Sequence, residues 1–196
     1  MKTFVRLLFV IFISNYCSIT AIAEENTLFR GFDWGTTKAD IKQKETAHFI
    51  QENQDGLMYE DQMFHRRFNT AYFFHNDQLY RGVYSLQDAF KNEGGYLQNN
   101  ISYFVLYNNI VDDMKEDYGE PSKEVPLPKI GTVNVDQFLE QVEQGKKVVL
   151  AQWNLGQINI TTALKGSKGQ IKVLKVYDYK PLLEEIKQNH KDNQPE

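Results

Sequence analysis

Residues 64–86 read FHRRFNTAYFFHNDQLYRGVYSL, and the aromatic residues among them recur with a period of two. This is the spacing of side chains that share one face of a β-strand. Phe64, Phe68, Tyr72 and Phe74 all fall on even positions. Phe73 takes the opposite face, and residues 75–78 interrupt the alternation as a turn. Together with its flanks, the stretch predicts an antiparallel meander with strands near 48–52, 57–64, 67–75 and 79–86.

A helical repeat follows the meander, after a punctuating Asn92–Gly95 segment. Its apolar residues are spaced by three or four positions: Leu97, Ile101, Phe104, Tyr107, Val111, Met114 and Tyr118. Such a stripe is typical of an amphipathic helix. Gly119 and Pro121 end it. The stripe must be buried against the sheet, so we expect a long helix packed on one face.

Shorter elements flank these two. Thr36 and Thr37 begin a helix that runs from about Lys38 to Thr46. Residues 120–133 read as a proline-containing loop, and Asn134 caps a third helix that Gly145 ends. Three further strands are predicted at 148–154, 157–164 and 170–179, the last two separated by a turn at 165–169. Pro181 opens a last short helix, and residues 187–196 form a polar tail.

The order of helix, meander, long helix, short helix and meander predicts an α+β fold. No segment is poor enough in apolar residues to divide it, so residues 24–186 are expected to form one domain. The two halves share their plan, which raises the alternative of a weak duplication of a helix-plus-meander unit.

The N-terminus has the parts of a secretory signal peptide. Lys2 and Arg6 are basic, residues 7–13 are apolar, and Ala21–Ala23 forms an A-x-A site. We therefore expect export to the periplasm or beyond, with cleavage after Ala23 and no transmembrane segment in the remaining chain. An uncleaved N-terminal anchor is the alternative.

Cys17 is the single cysteine of the chain. Lipidation at Cys17 is a second possible form of processing, although Tyr16 stands where that processing wants a small residue. Cleavage after Ala23 would remove Cys17, and cysteine nucleophiles and cysteine-ligated metals would then be excluded.

The net charge of the chain argues against a function in nucleic-acid binding. The chain of 196 residues carries a net charge of −4, and removal of a leader with two basic residues and no acid leaves about −6. An acidic protein lacks the electrostatic footprint of a nucleic-acid binder. The densest basic spot, His65–Arg67, is interpreted as a solvated strand or turn edge.

Catalytic and metal motifs are absent from the sequence. The histidines after the leader are His48, His65, His75 and His190, and no two have the i, i+4 spacing of helical metal ligands. We therefore expect no metal and no cofactor. Glu60 and Asp61 form the one acidic pair inside the aromatic meander, which leaves a small periplasmic hydrolase with a dispersed acid pair as the alternative function.

Several short motifs resemble a loose group of small exported bacterial proteins of unknown function. They are the Phe32–Thr36 segment FDWGT, Tyr72–Phe74 with Leu79 and Tyr84, the Tyr118–Pro121 segment YGEP, and a later strand with Trp153. The resemblance implies an α+β fold in the bacterial envelope. It supplies no active site.

Aromatic density is the feature most open to a functional interpretation. One face of the meander is expected to pack under the long helix. The other face, with Phe73 and Tyr80, is then a candidate binding platform. The favoured function is a non-catalytic envelope protein whose partner is another envelope protein, a peptide or a glycan.

Overall fold

The computed structural model describes residues 28–87 and 96–192. The predicted leader 1–23 with Cys17, the Asn92–Gly95 punctuation and the last four residues of the predicted tail lie outside the described residues. The helices are α1 (Lys38–Lys44), α2 (Tyr96–Tyr118), α3 (Val135–Glu143) and α4 (Lys180–Asp192). The strands are β1 (His48–Asn53), β2 (Gly56–Met63), β3 (Arg66–His75), β4 (Gln78–Leu86), β5 (Lys123–Val125), β6 (Val148–Leu155), β7 (Ile158–Ser167) and β8 (Gln170–Tyr179).

All eight strands belong to one antiparallel sheet with the order β1-β2-β3-β4-β8-β7-β6-β5. The predicted α+β class is confirmed. The two meanders are joined where the last strand of each pairs, β4 with β8. The chain therefore returns to the middle of the sheet at its end, and the edges are formed by β1 and the short β5.

Two-residue turns with positive φ fix the register of the hairpins. Asn76 and Asp77, between β3 and β4, have φ of 50° and 59°, a conformation that asparagine and aspartate tolerate well. The turn between β2 and β3 consists of Phe64 and His65, with φ of 51° and 58°. The assignment of Phe64 to a strand was therefore wrong. Its even position fitted the alternation, but the chain reverses at this residue.

Three other boundaries differ from the prediction. A short strand, β5, lies in the predicted loop 120–133, where only three residues pair with β6 and give no periodic signal. Strand β7 continues to Ser167, which shortens the predicted turn at 165–169 to two residues. Helix α4 continues to Asp192, through most of the predicted polar tail, because polar residues with good helix propensity extend its last turns.

The caps of the short helices are confirmed. The Thr37 side chain accepts a hydrogen bond from the Asp40 amide at the start of α1, and Asn134 accepts one from the Gln137 amide at the start of α3. Helix α1 ends at Lys44 and buries only Ile41. Gly119, with φ of 76°, terminates α2 where the sequence placed its end.

Helix α2 and helix α3 cover the half of the sheet around β7. The buried stripe of α2 is wider than predicted and includes Tyr103, Phe104, Leu106, Tyr107, Ile110, Val111 and Met114. The Tyr107 hydroxyl lies 3.4 Å from Thr162 Oγ1 on β7. The rings of Phe104 and Phe138 meet edge to face at 5.6 Å, which joins α2 to α3.

The aromatic face of the first meander is covered differently from the prediction. Phe68, Tyr72 and Phe74 are buried on one side, as the alternation predicted. The rings that meet Tyr72 come from the N-terminal segment, with Phe29 at 5.1 Å and Phe32 at 5.9 Å. The segment before α1 therefore covers part of the face that the sequence analysis gave to the long helix.

The burial of α2 can be tested with neighbouring residues. Phe104 is fully buried, so Phe104→Ala should lower the free energy of unfolding by roughly 3–5 kcal/mol through lost transfer energy and the cavity left behind. Val105, which is 48% exposed, gives the matched control: Val105→Ala should change it by less than about 0.5 kcal/mol. Urea unfolding measures both. Equal effects of the two substitutions would contradict the orientation of α2.

Candidate functional site

The N-terminal segment places an aromatic ring on the centre of the sheet. Phe29 and Phe32 form an isolated antiparallel bridge around Arg30 and Gly31, which have φ of 56° and 77°. The turn directs Phe29 onto Gly82 of β4, where an added Cβ would lie 2.3 Å from the ring. Any side chain at Gly82 would displace Phe29. This glycine is therefore required by a close contact.

Arg30 lies in a cluster of charged and phenolic groups at the edge of this contact. Its Nε and Nη2 donate to the two carboxylate oxygens of Glu45, at 2.9 and 3.0 Å. Its Nη1 donates to Asp61 on β2, and the Tyr72 hydroxyl donates to Glu45. The amides of Thr46 and Ala47 also donate to Glu45 Oε1. Each Glu45 oxygen thus has two or more donors.

The cluster holds Glu45 ionised. Burial by itself would raise the pKa of Glu45, but the hydrogen bonds from Arg30, Tyr72 and the Ala47 amide outweigh it and lower the pKa to about 2. The pKa of Tyr72 is raised, first by burial and then by its bond to Glu45. A carboxylate with so low a pKa is a poor proton acceptor at neutral pH. The cluster therefore anchors the N-terminal segment and offers no general base.

The acidic pair singled out from the sequence does not converge. Glu60 and Asp61 are consecutive residues of β2, so their side chains lie on opposite faces of the sheet. Asp61 bonds to Arg30 on the helix-covered side, and Glu60 lies 3.7 Å from Arg67 on the other. The two carboxylates cannot act on one substrate.

A lysine lies among the buried tyrosines. Lys175 Nζ is 5.4 Å from the ring centre of Tyr84 and 5.6 Å from that of Tyr177. Burial lowers the pKa of Lys175, and the negative charges of Asp113 and Asp117 on α2 oppose this. The two rings supply a cation–π environment that partly compensates for lost hydration. Lys175 therefore makes cation–π contacts within the sheet and is attracted to α2 by the charges of Asp113 and Asp117.

The face opposite α2 and α3, here called the second face, carries a continuous apolar stripe. Met58, Ala71, Val83 and Val176 are direct neighbours across β2, β3, β4 and β8. A second row lies two residues away from the first along β8. It consists of neighbouring residues on β8, β7, β6 and β5: Leu174, Ala163, Leu150 and Val125. These residues form the apolar stripe. With strands about 4.8 Å apart, it extends roughly 29 Å.

Polar side chains flank the apolar stripe on both sides. On one side, Asn69 pairs with Ser85, which pairs with Leu174. On the other side, Asn159 pairs with Asp178 and lies two residues from Thr161. Helix α4 reaches this face near the end of β3, where Glu185 of α4 lies 3.7 Å from His75 Nε2. Most stripe residues are half-buried, and Val125 at the sheet edge is exposed.

The two residues predicted for binding both lie near one end of the apolar stripe. Phe73 is half-buried on the second face, as the alternation predicted, and pairs with Arg81. Tyr80 is half-buried where an extra residue interrupts the β3–β4 register, and its ring centre is 5.8 Å from Arg81 Cζ. Phe73 also lines a shallow, open hollow with room for about 30 Å³. The other lining residues are Gln51, Asn53, Gly56, Leu57, Met58, Ala71 and Tyr72.

With about 30 Å³ of space, the hollow is far smaller than the roughly 300–1,000 Å³ of pockets that bury a drug-sized ligand. In residues 28–87 and 96–192, no group of three or more histidine, cysteine, aspartate or glutamate side chains is arranged to hold a metal ion. None of the helices in these same residues has the length and apolar character needed to cross a membrane.

Sequence reasoning missed Arg30, Glu45 and the apolar stripe. Arg30 and Glu45 are 15 positions apart, and Tyr72 is a further 27, so no short motif joins them. The Arg30–Gly31 turn was the available local signal. The apolar stripe depends on strand order, which the sequence did not provide, because its central neighbours Val83 and Val176 come from different halves of the chain.

Comparisons with known proteins are sparse. No protein-family model and no curated protein matches the chain. Among solved structures, the chain is similar to a DUF4309 family protein, YjgB, from Bacillus subtilis, with 8% sequence identity and a TM-score of 0.39. The match covers 82% of this chain and 95% of that one. A likeness at this level assigns neither fold nor function to the chain.

The ionised state of Glu45 predicts how the free energy of unfolding changes at low pH. Its pKa in the fold lies below its ordinary 4.5, so it contributes stability that is present above about pH 4.5 and lost as the pH falls toward 2. At pH 7, Glu45→Gln should lower the free energy of unfolding by about 1.5–3 kcal/mol. The difference in the free energy of unfolding between this variant and the unsubstituted protein should become smaller as the pH falls from 4.5 to 2.

Urea titrations at pH 7, 4.5 and 3 measure this difference. Glu184→Gln, an exposed change on α4, is the control and should have a small effect. A Glu45→Gln effect of the same size at all three values would show that the cluster does not hold this carboxylate ionised.

Proposed function

We propose that this protein is an exported, non-catalytic binding protein of the bacterial envelope, and that the apolar stripe on the second face is its contact surface. The observation that carries the proposal is the stripe itself. It consists of two rows of apolar side chains that adjoin on β8 and have a polar margin, on the face that α2 and α3 do not cover. Apolar surface with a polar rim is characteristic of protein interaction sites.

The dimensions of the apolar stripe favour a protein partner over a small molecule. At roughly 29 Å, the stripe is about as long as a standard interface of roughly 800 Å² per partner is wide. The hollow beside Phe73 has room for about 30 Å³, which is far below the range for drug-sized ligands. Phe73 and Tyr80 lie at one end of the stripe, where rigid rings add contact area at low entropic cost.

A hydrolytic function receives no support from the described residues. Glu60 and Asp61 face opposite sides, and the donors around Glu45 keep it ionised rather than ready to exchange a proton. The binding function therefore rests on a positive feature of the molecule, whereas the acidic pair of the alternative, Glu60 and Asp61, does not converge.

Export rests on the N-terminal sequence. The basic residues Lys2 and Arg6, the apolar run 7–13 and the Ala21–Ala23 site are the parts of a signal peptide. We propose a periplasmic or secreted protein that begins at Glu24. Lipidation at Cys17 remains the competing form of processing, and the two differ in the first residue of the product.

We also propose that the two four-stranded halves of the sheet arose by duplication. The support for a duplication is the central pairing of β4 with β8, since each is the last strand of its half. With this pairing, an approximate twofold rotation relates the strand order β1-β2-β3-β4 to β5-β6-β7-β8. Superposition of the halves tests this. Failure of the strands to overlay in order would contradict it.

Processing can be checked directly. We expect mass spectrometry of the protein from the envelope fraction of its host to find Glu24 as the first residue, because signal peptidase cleaves after an A-x-A site. A product that begins at Cys17 with added lipid mass would assign it to the lipoproteins. Intact Met1 on a cytoplasmic product would overturn export.

Substitutions on the apolar stripe test the contact surface. Affinity capture with the tagged protein should recover a partner from the envelope, and Phe73→Ser and Met58→Lys should each reduce its recovery at least tenfold, since a hot-spot contact is worth about 2 kcal/mol. Val105→Ser, an exposed apolar change on α2, is the matched control. Circular dichroism of each variant verifies the fold. Unchanged recovery with both stripe variants would move the contact surface elsewhere.

A further inference from the structure

The fold gathers basic residues at one end of the sheet. At this end β2, β4 and β7 finish and β3, β6 and β8 begin. The lysines and arginines in the last strand positions and turns are Arg66, Arg67, Lys146, Lys147, Lys165, Lys168 and Lys172. They define what we call the basic end. They come from widely separated positions in an acidic chain, so the sequence revealed only the Arg66–Arg67 pair.

Two of these lysines repel each other. Lys165 and Lys172 are direct neighbours across β7 and β8, and like charges in that position destabilise a sheet. Of the carboxylates at this end, Glu60 lies 3.7 Å from Arg67, and Glu143 lies at the end of α3. Among the described residues, carboxylates form no ion pair with Lys146, Lys147, Lys165, Lys168 or Lys172. No ion pair among the described residues therefore offsets the repulsion between Lys165 and Lys172.

The same end carries a strained aromatic turn. Phe64 and His65 form the tip of the β2–β3 hairpin with positive φ, which is a costly conformation for a phenylalanine. Two other hairpins have Asn76-Asp77 and Lys168-Gly169 at these positions, and asparagine, aspartate and glycine adopt positive φ at lower cost than phenylalanine. Phe64 is nevertheless 37% exposed, so burial in the core does not explain it.

A second apolar side chain projects among the lysines. Val148, the first residue of β6, is 42% exposed, follows Lys146 and Lys147, and pairs in register with Lys165. The tips of the β2–β3 and β7–β8 hairpins are three strand spacings apart, or roughly 14 Å. One end of the sheet thus presents apolar side chains within a field of positive charge.

We propose that the basic end docks on the surface of an anionic lipid bilayer. Phe64 and Val148 enter the boundary between headgroups and acyl chains, and the lysines contact lipid phosphates. Apolar side chains surrounded by basic residues are the features that bind a protein to such a surface. Val148 distinguishes a bilayer from a nucleic acid, because an aliphatic side chain gains from hydrocarbon and has no ring on which a base could stack.

Vesicle binding tests the proposal, with the protein taken as its host produces it and its first residue known from mass spectrometry. Vesicles of phosphatidylcholine with one third phosphatidylglycerol should bind the protein in a flotation assay, and pure phosphatidylcholine should bind it at least tenfold more weakly. Binding should weaken as salt is raised, because salt screens the attraction. Each lysine near an anionic surface contributes a factor of roughly five.

Two sets of variants separate the contribution of the lysines to vesicle binding from that of Phe64. The triple change Lys165→Gln, Lys168→Gln, Lys172→Gln should reduce binding at least tenfold, and the same loss of charge in Lys44→Gln, Lys123→Gln, Lys187→Gln should reduce it less than threefold. Phe64→Asn places a residue that tolerates positive φ in the turn, so it should preserve or raise the melting temperature. It should nevertheless reduce vesicle binding several-fold, whereas Val105→Gln on α2 should not.

Three outcomes would overturn the proposal. Equal binding to charged and neutral vesicles would show that electrostatic attraction does not contribute to binding. Equal losses in the two lysine triples would show that net charge, and not the basic end, determines binding. Tighter binding to single-stranded DNA than to charged vesicles, with the same dependence on the three lysines but none on Phe64, would identify a soluble polyanion as the partner instead.

Discussion

The antiparallel pairing of β4 with β8 is the interaction on which the rest of the structure depends. It joins residues 81–85 to residues 174–178 and turns two meanders into one sheet. Gly82 lies within this pairing, and its missing side chain leaves the space that the Phe29 ring occupies. The ring contacts of Phe29 with Tyr84 and Tyr177 then bridge the two strands on the covered face.

The position of Arg30 follows from that contact. Because Phe29 is fixed on the sheet, the next residue turns toward Glu45 and Asp61, and the end of α1 is tied to β2 and β3 through Arg30 and Tyr72. A polar cluster of this kind stabilises only when its donors and acceptors are matched, as they are around Glu45. The cluster therefore positions the N-terminal segment on the covered face of the sheet.

The sequence predicted what local periodicity can encode. The alternation around Phe68 and Tyr72, the stripe of α2 and the caps at Thr37 and Asn134 all led to elements that the structure contains. Strand order could not be predicted in this way, because β4 and β8 are separated by more than 80 residues and either could have paired elsewhere. The same limit hid the apolar stripe and the basic end, since each is assembled from strands of both halves.

Phe64 shows a different limit. Period two assigned it to a strand, whereas its backbone adopts a turn conformation that other residues would adopt at lower cost. Departures of this kind from local preference mark positions where another requirement outweighs folding stability. The repulsion between Lys165 and Lys172 is a second departure at the same end of the sheet.

The two proposed surfaces are geometrically compatible. The apolar stripe crosses the strands, so it runs parallel to the row of strand ends that forms the basic end. Leu174 and Ala163 of the stripe are two residues from Lys172 and Lys165, or roughly 7 Å along the strands. A sheet that stands with its basic end on a bilayer would therefore hold the apolar stripe a short distance above the lipid and facing sideways. A partner on the stripe would lie beside the membrane, and lysines at the margin would contact both surfaces.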